Sequence, residues 1–310
     1  MNEKKVLAIV GPTASGKTKL SVEIAKLING EIISADSRQV YKHIPIATSY
    51  PSTDDLISVK HYFINELELS EDFNAGKFGK KGRVLIEDIF SRHKQPVIVG
   101  GSGLYVRSLI DGFFDEEIES KTIRQDLYTI MKEHGEEFLY DRLKKFDEET
   151  ASKIPKGKIR RVIRALEIYY TSGKKISEFH SEKTIVNFST IQTGLMLDRK
   201  YLYRRINERV DKMIENGLLE EVRNLKEMGK DYKTHNSLNT VGIKEVFNYF
   251  EGEYDFETMK SLIKQNTRRY AKRQMTWFRK DKRINWIEVN DDSDLKSLSN
   301  KVLTVFTGIS

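Results

Sequence analysis

One segment constrains this chain more than any other. Gly11-Pro12-Thr13-Ala14-Ser15-Gly16-Lys17-Thr18 fits the pattern G-x-x-x-x-G-K-[ST] in full. The apolar run Val6 to Val10 precedes it and reads as a buried strand, while helical periodicity follows from Lys17 to about Ile28. In that setting the residue types have a chemical reason. Glycines let the backbone curl so that successive N–H groups point inward around phosphate oxygens, Lys17 adds a point charge, and Thr18 offers a hydroxyl to Mg²⁺. All eight residues are therefore candidate diphosphate ligands, with Thr18 the candidate metal ligand. The motif specifies a di- or triphosphate group, and it does not specify a nucleotide.

The surrounding pattern extends the strand–turn–helix unit into a domain. Glu31 to Ala35 reads as a second strand ending at Asp36. A helix around Lys77 to His93 leads into the buried run Pro96 to Gly100, and Gly101-Ser102-Gly103 opens a further helix. This rhythm predicts an α/β fold: a parallel sheet flanked by helices, of the kind that carries phosphate loops. From Asp115 to about Asn187 the texture becomes charged and helical, with Pro155 and Gly157 marking a break, before Thr190 to Leu197 reads as a strand again. The expected organisation is a core of residues 1–114 and 188–310 with an all-helical insertion at 115–187. From Tyr201 onward the chain is expected to be mostly helix.

Composition matters here for what it excludes. With no cysteine there is no disulfide framework, thiolate metal site or thiol nucleophile. The six histidines (His43, His61, His93, His134, His180 and His235) fall in no H-x₃₋₅-H spacing. Neither a signal-peptide core nor a membrane-length apolar stretch is present, so the expectation is a soluble, cytoplasmic chain with no membrane partner.

An ordinary NTPase reading lacks one part. The strand Val97-Ile98-Val99 ends in Gly100-Gly101-Ser102 where a magnesium-binding acid is wanted. The nearby strand-terminal acid is Asp36, followed by Ser37, Arg38 and Gln39. It could serve as a helix N-cap. It could equally stand at the carboxyl edge of the sheet and accept a proton from a nucleophile beside the phosphates.

Charge is concentrated. Between Lys153 and Lys175 there are eight basic residues and one acid, Glu167; between Lys264 and Arg283 there are nine and one, Asp281. The whole chain carries only +7, so the remainder is acidic. As a helix, Arg268 to Arg283 would gather Arg268, Arg269, Lys272, Arg273, Arg279, Lys280 and Arg283 within an arc of about 140°. Tyr270, Ala271, Met275, Trp277 and Phe278 would take the packed side. Arg160, Arg161 and Arg164 likewise share one face, opposite Val162, Leu166, Tyr169 and Tyr170. Solvated faces would explain both; a polyanion explains them together.

These residues together resemble the bacterial tRNA dimethylallyltransferases (tRNA isopentenyltransferases). The resemblance runs through G-P-T-A-S-G-K-T at 11–18, I-S-A-D-S-R-Q-V-Y at 33–41, V-G-G-S-G-L-Y at 99–105 and R-R-V-I-R-A-L-E at 160–167. It continues through L-Y-R-R-I-N-E-R-V at 202–210, G-L-L-E-E-V at 217–222, V-G-I-K-E at 241–245 and T-R-R-Y-A-K-R-Q-M-T-W-F-R at 267–279. It implies a phosphate loop that holds dimethylallyl diphosphate with Mg²⁺ in place of ATP, and a helical insertion that helps clamp a tRNA anticodon stem-loop. By the same resemblance Asp36 matches the general base for the exocyclic amine of the adenosine 3′ of the anticodon. Ser37, Arg38 and Gln39 lie in the same box, as tRNA contacts. Arg205 matches a diphosphate group of the reacting site, and Ser102 and Arg124 match positions at the tRNA or the reacting centre. The tRNA-binding set is completed by Arg160, Arg161, Arg164, Arg269, Arg273 and Lys280 from the basic helices. Ser102 stands where the family usually has Thr. A monomer is expected. Transfer to free adenine nucleotides and an ordinary ATP site remain alternatives, the first disfavoured by two basic faces and the second by the absent strand-end acid.

Overall fold

The computed structural model describes residues 4–112, 120–181 and 186–308. The chain divides into two compact units, Met1–Ile110 with Val186–Ser310, and Asp111–Ile185. The expected junction at 114–115 lies outside the described residues.

In the larger unit, β1 (Lys5–Val10) feeds the glycine-rich turn and α1 (Lys17–Leu27), followed by β2 (Gly30–Ser34). The short helices α2 (Pro45–Thr48) and α3 (Thr53–Ser58) then precede β3 (His61–Tyr62), α4 (Ala75–Ser91), β4 (Gln95–Gly100) and α5 (Gly103–Ile110). The smaller unit is entirely helical among its described residues. It comprises α6 (Lys121–Phe146), α7 (Glu148–Lys153), α8 (Ile159–Ser172) and α9 (Ile176–Ser181). Helix α6 is interrupted at Gly135, whose φ of 85° and ψ of 170° are not helical.

The chain returns to the larger unit through β5 (Ser189–Leu197), α10 (Arg199–Glu215), α11 (Leu218–Glu227), α12 (Ile243–Phe250) and α13 (Phe256–Phe278). It finishes with β6 (Ile284–Val289) and α14 (Leu295–Thr307).

The six strands are all parallel, in the order β3-β2-β4-β1-β5-β6. Strands buried on both faces need continuous apolar runs, and Val6 to Val10 are fully buried. Leu7, Ile9, Val97 and Leu195 pack against Leu20 and Ile24 of α1 and Leu202 and Ile206 of α10. In the helical unit Leu127, Leu139 and Leu143 of α6 close on Val162, Ile163 and Leu166 of α8. Each such side chain contributes about 1.5–3 kcal/mol through removal from water.

Two features depart from the sequence reading. The segment after Tyr201 contains a strand, β6, whose inward residues Ile284, Ile287 and Val289 pack at the sheet's edge while Asn285 and Glu288 face outward. The basic helix also stops at Phe278, capped by Arg279, so Lys280 and Arg283 lie in the turn before β6 and do not extend the helical face. Arg283 is paired with Asp281 there, and Trp277, expected on the packed side, is 39% exposed.

Candidate active site and basic surfaces

The carboxyl ends of β1, β2 and β4 converge on one open cavity of about 1350 Å³, where parallel α/β sheets bind ligands. From β1 comes the glycine-rich turn. Ala14 (φ 62°) and Gly16 (φ 94°) are left-handed, which turns the backbone amides of the loop toward a common centre. Thr13 to Thr18 line the cavity, while Gly11 and Pro12 sit buried at the root of the loop.

Lys17 Nζ donates to the carbonyl of Pro12 at 2.6 Å. Burial lowers the Lys17 pKa to about 7, and the charge of Arg209 pushes the same way against the opposing pull of Asp36. A diphosphate bound there would supply the missing counter-charge and restore the proton to Lys17. The sign follows: above about pH 7 the amine of the free site would be mostly neutral, and binding of a diphosphate would take up a proton from solvent. Diphosphate affinity is therefore expected to fall as pH climbs past 7. Calorimetry in buffers of different ionisation enthalpy should register the uptake at pH 8, and the charge-fixed variant Lys17→Arg should bind without it.

From β2 comes Asp36. Its Oδ1 accepts the amide of Arg38 at 2.8 Å and that of Gln39 at 3.4 Å, closing a turn and not capping a helix. Oδ2 has no hydrogen-bond partner among the described residues, and Asp36 lines the cavity. From β4 come Gly100 and Gly101. A Cβ on Gly100 would lie 2.2 Å from the carbonyl oxygen of Ala35, so only glycine lets the two strand ends approach. Ser102 then accepts the Ser37 amide at 3.2 Å, which holds the Asp36 turn in place.

The remaining residues of the box are braced. Gln39 accepts from Ser34 Oγ at 2.9 Å and donates to the carbonyls of Thr48 and Ser49, each at 3.1 Å. Arg38 donates to the carbonyls of Asn236 and Asn239.

Helix α10 forms the facing wall. Arg205 leans over the phosphate loop, since a Cβ on Gly16 would come within 3.5 Å of its Nη2, and Tyr201 OH accepts from its Nη1 at 2.9 Å. One turn on, Arg209 also lines the cavity, beside Arg205, Lys17 and Asp36. Burial draws its pKa below the usual arginine value, Arg205 adds to this, and Asp36 opposes it. Arg209 makes no hydrogen bond among the described residues. It stands on the cavity wall, where an anion in the cavity could accept from it. The sequence reading singled out Arg205 and passed over Arg209, although the four-residue spacing puts both on one helix face.

Helix α13 supplies two more groups that the sequence reading missed. Gln274, buried, accepts the Thr13 amide at 2.8 Å and donates to the Gly101 carbonyl at 3.0 Å, tying the phosphate loop to the end of β4. Tyr270 lines the cavity near Asp36 and Ser102, and burial pushes its phenol up to about 12. A glutamine on the apolar face of the helix, between Tyr270, Ala271, Trp277 and Phe278, is the signal the sequence offers.

The basic residues sort into exposed and committed groups. On the larger unit Arg269 and Arg273 are exposed on α13, and Lys280 is exposed just beyond it. On the helical unit Arg160 and Arg161 are exposed on α8. Arg124 and Arg164 instead bind the fully buried Glu167, each at 3.0 Å. That acid neutralises part of what looked like a uniformly cationic face.

The IPP transferase family model matches residues 39–281. The chain is 44% identical over 299 residues to the tRNA dimethylallyltransferase of Acetivibrio thermocellus, covering 95% of each chain. With that of Bacillus mycoides it shares 42% over 293 residues, covering 94% of this chain and 92% of the relative. Among solved structures, the tRNA isopentenylpyrophosphate transferase of Bacillus halodurans superposes with a TM-score of 0.72 at 36% identity, covering 99% of this chain and 98% of that one. A eukaryotic dimethylallyltransferase acting on tRNA gives a TM-score of 0.80 at 30% identity, covering 98% and 79%.

Proposed function

The chain belongs to the IPP transferase family, and we infer that it is a tRNA dimethylallyltransferase. It moves a dimethylallyl group from dimethylallyl diphosphate to the exocyclic amine of the adenosine 3′ of the anticodon, releasing diphosphate. One observation carries this reading: a single cavity joins a phosphate loop, two arginines and a carboxylate at the sheet's carboxyl edge.

The reaction is a displacement at a primary allylic carbon. The nitrogen–carbon bond forms as the carbon–oxygen bond to diphosphate breaks, and the amine loses one proton. Negative charge builds on the leaving diphosphate, where the loop amides, Lys17, Arg205 and Arg209 would stabilise it. An adenine amine is weakly nucleophilic and barely acidic, so Asp36 Oδ2 takes the proton as the bond forms. Reaching the base requires its extrusion from the anticodon loop, and contacts in the cavity offset the lost stacking.

The donor set also suits Mg²⁺. Among the described residues no cluster of three acidic or histidine side chains could hold a metal by itself. Thr18 on the cavity wall offers a hydroxyl, and a magnesium ion that keeps several waters is held by one or two protein oxygens plus substrate phosphates. Bound there, Mg²⁺ would neutralise charge on the diphosphate.

Backbone contacts on a tRNA stem come from the exposed cations. Neutralising Arg269, Arg273 and Lys280 together should weaken tRNA binding and reduce the slope of log affinity against log salt by about two to three. An unaltered slope would make that surface merely solvated. The function itself is tested with radiolabelled dimethylallyl diphosphate and Mg²⁺, offered unmodified tRNA in one tube and AMP in another. Label fixed in tRNA alone is expected; label in AMP would reassign the acceptor.

A further inference from the structure

Glu221, on α11, belongs to the 217–222 segment but has no part in the site described above, and it holds a turn that forms part of the cavity wall. It is 9% exposed, and its two carboxylate oxygens accept the amides of Ile46 at 2.7 Å and Ala47 at 2.9 Å. Those amides open α2, a single turn with no side-chain cap of its own and with Pro45 at its start. The other end of the same turn is gripped as well. Gln39 donates to the carbonyls of Thr48 and Ser49, and Ser49 leaves the turn at φ 48°.

Residues 45–50 line the cavity, and Gln39 is itself fixed by Ser34 and by the Oδ1 of Asp36. A continuous set of hydrogen bonds thus runs from Glu221 through the α2 turn to Gln39 and the carboxylate of Asp36. An isolated four-residue turn is unstable in water, so it holds its shape only where its ends are tied. The phosphate loop and Arg205 are not part of this set.

We propose that Glu221 is a positioning residue for the transfer reaction: by holding the α2 turn against Gln39 it fixes the aim of Asp36 toward the acceptor amine. The proposal rests on the function inferred above. Gln is the informative replacement, because one of its ends still accepts an amide while the other presents a donor to the second. Alanine removes both acceptors.

The test measures steady-state transfer to unmodified tRNA by wild type, Glu221→Gln, Glu221→Ala, Gln39→Ala and the Glu221→Ala/Gln39→Ala double variant. The kcat of Glu221→Gln is expected to fall about tenfold and that of Glu221→Ala further, with KM for dimethylallyl diphosphate nearly unchanged, as befits loss of one or two buried hydrogen bonds. Because both residues grip one turn, the double variant should lose little more than the worse single variant. Thermal melts confirm which variants are folded, and Glu221→Gln with Gln39→Ala alone suffices if Glu221→Ala is not. Wild-type kcat in Glu221→Gln, a rise confined to KM for dimethylallyl diphosphate, or losses that multiply independently would each overturn the proposal. Wild-type protein that transfers nothing to tRNA would instead overturn the functional reading beneath it.

Discussion

Replacing Asp36 by alanine is expected to lower the rate of prenyl transfer by about 10²–10⁴-fold while tRNA affinity stays nearly unchanged. The reasoning combines geometry and charge. One oxygen of the carboxylate is committed to the turn amides of Arg38 and Gln39, and the other has no partner among the described residues on the cavity wall. The tRNA backbone is expected to be held by exposed cations, so removing Asp36 leaves most of the binding energy in place. A second consequence follows from the charge of Asp36 alone. Asp36 is the group that opposes the lowering of the Lys17 pKa. Its loss should push Lys17 further down, so that dimethylallyl diphosphate binding weakens at a lower pH than in wild type. Single-turnover kinetics with a filter-binding control measure both effects. Loss of tRNA binding in parallel with the rate would mean that Asp36 serves the tRNA interface instead.

Arg209→Ala is expected to reduce kcat by about 10²–10³-fold, the range found when a donor aimed at developing charge is removed. Arg209 sits among Arg205, Lys17 and Asp36 without a hydrogen bond of its own among the described residues, an arrangement that burial makes costly. Such a guanidinium is satisfied when an anion arrives and most strongly when that anion carries the full charge of a leaving diphosphate. Lysine at this position restores the charge without the planar fork and should recover only part of the rate. The variant also has a signature that simple misfolding lacks. Arg209 lowers the Lys17 pKa, so its removal should move proton uptake on diphosphate binding to higher pH. A variant that binds dimethylallyl diphosphate weakly but turns over at the wild-type kcat would assign Arg209 to ground-state binding alone.

What the sequence made legible follows from how local each signal is. The phosphate loop, its flanking strand and helix, and the buried runs at Glu31–Ala35 and Pro96–Gly100 lie within a few residues of their own evidence, and their elements appear with ends shifted by at most one residue. Strand β6 escaped because Ile284 to Val289 is short, half exposed, and follows a turn dense in charge that reads as a helix continuing. Strand β3 is two residues long and has no pattern to show.

The site divides along the same line. Lys17, Asp36 and Ser102 follow strand ends and could be placed from sequence. Glu221 and Gln274 act on partners 174 or more residues away in the chain, at Ile46, Ala47 and Thr13, and only the fold brings them there. Counting charge along the chain likewise could not show that Arg124 and Arg164 share one buried acid. Arg164 meets Glu167 three residues along α8, but the contact from Arg124 on α6 and the burial of the acid are tertiary facts.

The most direct test of the central claim is to locate the product. Purified protein, dimethylallyl diphosphate and Mg²⁺ are incubated with a tRNA bearing unmodified adenosine 3′ of the anticodon, and the RNA is digested and mapped by mass spectrometry. The predicted result is one C₅H₈ addition, on that adenosine and on its exocyclic nitrogen. An unmodified adenosine there, or the addition at another nucleotide, would contradict the account.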